Sequence, residues 1–247
     1  MEWKKTVTII TGASSGIGEA TLKLLKQEGS RVYNLDIKPP SNADSYFINC
    51  DISNRVHVEH AIKFVYEKEQ RIDFLFANAG RHLFATIEDT SYEQLDSLVG
   101  INLLGTFYLL KAVIPIMKKQ QNGNIVLMGS DQAFVGKASS AVYGMTKGAI
   151  AQLTKSTAID YAAFNIRTNC ICPGTIQTPL LDNAVKQFVY KSGQEATAVL
   201  TSLNNAQPLG RIGSPEEIAK IVRFLFSNDS SFITGALIAA DGGYTCQ

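Results

Sequence analysis

Thr6-Val7-Thr8-Ile9-Ile10-Thr11-Gly12-Ala13-Ser14-Ser15-Gly16-Ile17-Gly18 is a β-branched run that breaks into a glycine turn. Leu22, Leu24 and Leu25 follow at helical spacing until Gly29 ends the pattern. Strand, glycine turn and helix in that order make an anion cradle. Glycines let the backbone approach a pyrophosphate, and the free N–H groups at the helix start favour its negative charge.

Outward from this unit, short β-branched runs recur at residues 6–11, 31–35, 46–50, 72–77, 124–128, 167–172 and 237–240. Between them lie segments of helical period, such as 56–69 with apolar Val58, Ala61, Ile62 and Val65. The alternation predicts a doubly wound, Rossmann-type α/β fold, a seven-stranded parallel sheet covered by helices on both faces. A single domain over 1–247 is expected, since no repeat or linker divides the chain. The least regular stretch, about 178–213, precedes a helix start at Ser214, Pro215 and Glu217 and reads as a mobile substrate lid.

The net charge of +1, without a long Lys/Arg block, leaves out the basic stripe that nucleic acid requires. Met1 to Lys5 lead into an apolar run too brief for a secretory h-region, and no stretch reads as membrane-spanning. Cys50, Cys170, Cys172 and Cys246 lack C-x-x-C spacing and a His cluster, so reduced thiols in a cytoplasmic protein are expected. Cys170 and Cys172 read as a buried structural pair on one strand face.

The second strand ends at Asp36, 18 residues beyond Gly18, where a dinucleotide fold places the acid that bonds the adenosine ribose. A carboxylate there repels a 2′-phosphate and Ile37 offers no guanidinium, so NAD is expected rather than NADP, with Lys38 the one cation beside them. Tyr143 and Lys147 stand four apart, on one face of a helix. At about 4 Å and an effective dielectric near 20, their attraction is about 4 kcal/mol, as much as roughly three pKa units before desolvation. The phenol could then exchange protons near neutrality.

Taken together, these elements resemble the short-chain dehydrogenase/reductase family over essentially the whole chain. Thr11 to Gly18 fits its T-G-x-x-x-G-x-G turn, and Ala77-Asn78-Ala79-Gly80 fits its N-N-A-G element, with Ala77 in place of the first asparagine. Tyr143 to Lys147 fits Y-x-x-x-K, with Ser130 thirteen residues before Tyr143 and Asn102 at the helix asparagine. Asp51-Ile52 matches the family's adenine-side pair, Pro173-Gly174-Thr175-Ile176-Gln177-Thr178 its P-G-x-[IV]-x-T segment, and Asp241-Gly242-Gly243 its D-G-G terminus. Ser15 stands where NADP-preferring relatives often carry a basic residue.

The resemblance implies an NAD(H)-dependent oxidoreductase that interconverts a secondary alcohol and a ketone without a metal. Gly12, Ser14, Ser15, Gly16, Ile17, Gly18, Asp36, Ile37, Asp51, Ile52, Asn78, Ala79, Gly80, Tyr143, Lys147, Pro173, Gly174, Ile176 and Thr178 would bind NAD. Ser130 would hold the substrate oxygen and Tyr143 would move the proton. Lys147 would lower the Tyr143 pKa and hold the nicotinamide ribose, and Asn102 would position a water leading from Lys147 to solvent. A homotetramer, or a homodimer, is implied as well. An alternative, a catalytically silent NAD-binding sensor or structural subunit, is opposed by the intact Ser130, Tyr143 and Lys147. Arg81, His82, Asp131, Gln132 and Gln177 adjoin the motifs and could approach the pocket, which favours a sugar, polyol or hydroxy acid. Gln132, two positions beyond Ser130, is the first choice for bonding a second substrate oxygen.

Overall fold

The computed structural model describes residues 3–41 and 46–246; Met1 and Glu2, which belong to the charged start, lie outside it, as do 42–45 and Gln247. Among the described residues seven strands form one sheet: β1 (Val7–Thr11), β2 (Arg31–Asp36), β3 (Tyr46–Asn49), β4 (Phe74–Ala77), β5 (Gly123–Met128), β6 (Ile166–Pro173) and β7 (Leu237–Ala240). Every pairing is parallel and the order is β3-β2-β1-β4-β5-β6-β7. Parallel neighbours need crossovers, and helices supply them: α1 (Gly16–Glu28), α2 (Arg55–Glu69), α3 (Tyr92–Val99), α4 (Gly105–Gln120), α5 (Ala141–Tyr161), α6 (Pro179–Ser192), α7 (Ala196–Asn205) and α8 (Pro215–Phe226).

The period of two along each strand divides the core between the sheet faces. Ile9, Leu75, Ile125 and Leu127 pack with Val58, Ile62 and Val65 of α2, Leu109 and Val113 of α4 and Ile150 of α5. Ile10, Phe74, Phe76, Val126 and Ile171 pack the other way, with Leu22 and Leu25 of α1 and Ile218, Val222 and Phe226 of α8. Helix ends follow the sequence signals. Gly29 closes α1 at φ 101° with its N–H on the carbonyls of Leu25 and Lys26, and Ser214 and Glu217 open α8 as a reciprocal cap.

Strand β4 starts at Phe74 rather than at 72, because the Gln120 side chain takes both the amide and the carbonyl of Ile72. The stretch 178–213 is also more regular than expected: most of it is α6 and α7. The start signal for α6 is Thr178, whose hydroxyl accepts from Leu181 N–H, followed by Pro179 in the first turn. A further correction concerns 92–120, where α3, a π-turn at Gly100–Leu104 and α4 make one helix, long and apolar enough to cross a membrane by length and composition. Leu109, Leu110, Val113, Ile114 and Met117 spend that apolar character on the sheet and on α2, as a core helix does.

The chain grows the sheet in one direction through β1, β2 and β3 and then resumes beside β1 with β4. The loops leaving β1 and β4 therefore part, and the crevice opens at the carboxyl ends of the strands.

Candidate active site

A cleft of about 630 Å³ fills that crevice. Its floor is the turn after β1, where Gly12 and Gly16 adopt φ of +67° and +56°, a region L side chains rarely enter. A Cβ on Gly18 would stand 2.3 Å from the Gly12 carbonyl oxygen and 2.7 Å from Asn78 Nδ2. Asn78 clamps the same turn: Nδ2 donates to the carbonyls of Thr11 and Gly12, and Thr11 Oγ1 accepts from the amides of Asn78 and Ala79. The motifs after β1 and β4 thus form one rigid cradle, shaped so that backbone alone meets a ligand.

Gly12, Ser15, Gly16, Ile17, Asp36, Ile37, Asp51 and Ile52 line this half, and Asn78, Ala79, Gly80, Pro173, Gly174, Ile176 and Thr178 continue the wall. Asp36 Oδ2 accepts from Ser14 N–H at 3.1 Å and Oδ1 from Lys38 N–H at 3.1 Å, which fixes the carboxylate at the strand end. Ser14 and Gly18 are not in the wall. The Ser14 hydroxyl donates to the Lys38 carbonyl at 2.6 Å, tying the turn to β2, and Gly18 permits the close approach of α1. The donor set, the close-approach glycines and the terminal carboxylate fit a nicotinamide dinucleotide.

At the other end, Tyr143 in the first turn of α5 and Lys147 one turn on share the cleft with Ser130, from the loop after β5. Helical spacing brings Lys147 Nζ to 5.5 Å from the Tyr143 ring centroid, but its hydrogen bond goes to the Met128 carbonyl at 2.8 Å. Burial dominates both groups, contrary to the attraction expected from spacing. It pushes the Tyr143 hydroxyl up to about 12; the Ser130 hydrogen bond opposes this, while the Asp131 charge adds to it. Burial pulls the Lys147 ammonium down to about 8. Beneath them lie Cys170 and Cys172, buried free thiols with Sγ atoms 3.7 Å apart.

Asn102 is buried in the π-turn, outside the cleft wall, and its side chain is spent on protein. Oδ1 accepts from Arg81 N–H at 2.9 Å, while Nδ2 donates to the Arg81 carbonyl and to Thr146 Oγ1. It fixes the loop after β4 against α5.

Of the five polar neighbours, four line the cleft and Gln177 does not; its amide donates to Asp182 at 2.9 Å on the exposed side. Arg81 lines the rim with its guanidinium on Ser97. The His82 ring lies 4.7 Å from that of Tyr143, and burial, reinforced by the Lys137 charge, lowers its pKa to about 4. Gln132 lines the cleft, and its Oε1 is buried on the side of Gly144 with no hydrogen-bond partner among the described residues. Asp131 is turned inward, bonded to Ser130 and Lys137.

Sequence reasoning did not find Lys137, Ser140 or the opposite wall, where Phe84, Leu181, Val185, Phe188, Val199 and Leu203 form an apolar side from α6, α7 and the loop after β4. The helical spacing of Leu181, Val185 and Phe188 was the available signal for that wall.

Residues 12–245 match the family model described as enoyl-(acyl carrier protein) reductase. The chain is 35% identical to 3-oxoacyl-(acyl-carrier-protein) reductase of Thermotoga maritima, across 98% of this chain and 99% of that one. Among solved structures, aldohexose dehydrogenase of Thermoplasma acidophilum superposes with a TM-score of 0.93 at 36% identity, covering 98% of this chain and 94% of the other. NAD+-bound xylitol dehydrogenase does so with a TM-score of 0.91 at 31% identity, covering 98% and 100%.

Proposed function

The chain belongs to the short-chain dehydrogenase/reductase family, oxidoreductases of alcohols and ketones, and from that premise we propose that it uses NAD(H) on a small polar substrate, such as a sugar, polyol or hydroxy acid. The observation that carries the cofactor reading is Asp36, held by two backbone amides at the nucleotide end of the cleft beside uncharged Ile37. A second negative charge on the ribose would meet repulsion there.

When bound, the nicotinamide donates or accepts a hydride at the substrate carbon. The chain's own residues orient the substrate and handle the proton. Ser130 holds the reacting oxygen. Tyr143 takes the hydroxyl proton during oxidation and returns it during reduction. Lys147 binds the nicotinamide ribose and, as a cation beside the phenol, favours its ionised form against burial. Asn102 keeps the loop after β4 in register, and α6 with α7 forms the lid that excludes water.

Gln132 supports the polar substrate class. A buried acceptor without a partner costs about 1–3 kcal/mol, which a substrate hydroxyl would recover. A second reading, a more apolar or cyclic ketone, draws on the apolar wall of α6 and α7. One experiment separates the two: NADH and NADPH kinetics over a panel of sugars, polyols, hydroxy acids, cyclic alcohols and hydroxysteroids. Turnover with NADPH as efficient as with NADH defeats the reading of Asp36. Turnover confined to apolar cyclic substrates defeats that of Gln132.

A further inference from the structure

Beside Ser130 lies a charged pair that the proton transfer described above does not use. Asp131 is buried, with 3% of its side chain exposed, and Oδ1 accepts the Ser130 hydroxyl at 2.8 Å while Oδ2 takes Lys137 Nζ at 2.6 Å. Lys137 reaches it from six residues on and lies over the Tyr244 ring, 4.3 Å from its centroid. A buried ion pair is a weak source of stability, because desolvation consumes most of the Coulombic gain. This one is hydrogen-bonded to the hydroxyl that would hold the substrate oxygen and lines the same cleft as Tyr143.

We propose that Asp131 and Lys137 act as a positioning pair: Asp131 fixes the Ser130 hydroxyl, and Lys137 offsets the Asp131 charge so that it does not hold the proton on Tyr143. The inference rests on the roles given to Ser130 and Tyr143. The remaining ionisable groups around the phenol are His82 from the loop after β4, Lys147 from α5, and Cys170 and Cys172 from β6. His82 is neutral above about pH 4, and burial with the neighbouring thiol keeps Cys172 protonated. Burial holds the Lys147 ammonium down to about 8, and Lys147 is present in every variant compared.

The signs follow from Coulomb's law. An uncompensated carboxylate opposes ionisation of Tyr143, so Lys137→Met moves the rising, acid-side limb of the oxidation pH profile, where Tyr143 loses its proton, to higher pH, by about one pH unit. Asp131→Asn leaves the Lys137 cation and moves the limb down by a similar amount. The double variant returns toward the parent, and Lys137→Arg keeps the parental profile. A purely structural pair would lower kcat in both single variants without displacing the limb in opposite directions. The experiment is kcat/KM against pH in NAD+-driven oxidation, with NADH binding and circular dichroism to establish folding. Displacements in the same direction, or none, overturn the proposal. Near-isosteric Asp131→Asn decides it alone if Lys137→Met does not fold: an unmoved limb refutes. Tyr143→Phe in the same assay separates the two ideas, since retained turnover there defeats the role of Tyr143 rather than the pair.

Discussion

Gly18→Ala adds one methyl group where α1 leaves the glycine turn. The new Cβ would lie 2.3 Å from the Gly12 carbonyl oxygen, 2.7 Å from Asn78 Nδ2 and 2.9 Å from Ala13 Cα. An ordinary carbon–oxygen contact is about 3.3 Å, so the helix and turn must separate by about 1 Å. Two of the three neighbours are backbone and the third is bonded to the Thr11 and Gly12 carbonyls, so no flexible side chain can yield instead. Overpacking of this kind costs about 1–3 kcal/mol, which at about 2–4 °C per kcal/mol for a chain of this size lowers Tm by roughly 2–12 °C. The same displacement moves the amides that face the pyrophosphate, and NADH affinity should fall at least about tenfold, or about 1.4 kcal/mol. Gly148→Ala in α5 is the control. Its Cβ meets nothing within 4 Å, and helix propensity makes it neutral or stabilising by up to about 1 kcal/mol. Thermal melts and NADH fluorescence titration read both quantities. A Gly18→Ala protein with parental Tm and NADH affinity would refute the cradle.

Asp36→Ala combined with Ile37→Arg removes a repulsive carboxylate and adds a bidentate phosphate partner, so the NADH-to-NADPH ratio of kcat/KM should fall at least about tenfold; an unchanged ratio places cofactor choice elsewhere. Gln132→Leu should raise KM for a polyhydroxy or carboxylate substrate by about tenfold while sparing a simple apolar alcohol, and equal losses on both would deny a specific hydrogen bond. His82 is held to about 4 against an ordinary 6.5, so the unfolded chain takes up the proton first as pH falls. The stability present above about 6.5 is then lost toward pH 4, by up to roughly 3 kcal/mol, and His82→Phe should flatten that slope in urea unfolding followed between about pH 7 and 4.5.

The central strands β1, β2, β4, β5 and β6 were legible because their apolar runs are buried on both sides, which leaves an unbroken signal in the sequence. Strand ends were not, as at Ile72, where a Gln120 side chain 48 residues away takes the backbone groups. Helix α6 was hidden by its mixed composition, although Thr178-Pro179 marks its start. In the site, Tyr143 and Lys147 could be paired by helical spacing, whereas Ser130 was named only through the family resemblance, and the fold carries all three to one place. Spacing does not fix where a flexible ammonium ends, and Lys147 chose the Met128 carbonyl. The inward turn of Asp131 toward Lys137 and the tilted ring contact of His82 with Tyr143 depend on loop conformations that no local pattern encodes.

The proposed function is an NAD(H)-linked interconversion of alcohol and ketone in which Tyr143 moves the proton. Steady-state NADH absorbance with the best substrate of the panel, measured for the parent and for Tyr143→Phe alongside their NADH dissociation constants, tests it most directly. Turnover is expected in the parent and a loss of at least about a hundredfold in Tyr143→Phe, with NADH affinity kept within about twofold because the ring packing survives. Comparable turnover in the two proteins would contradict it.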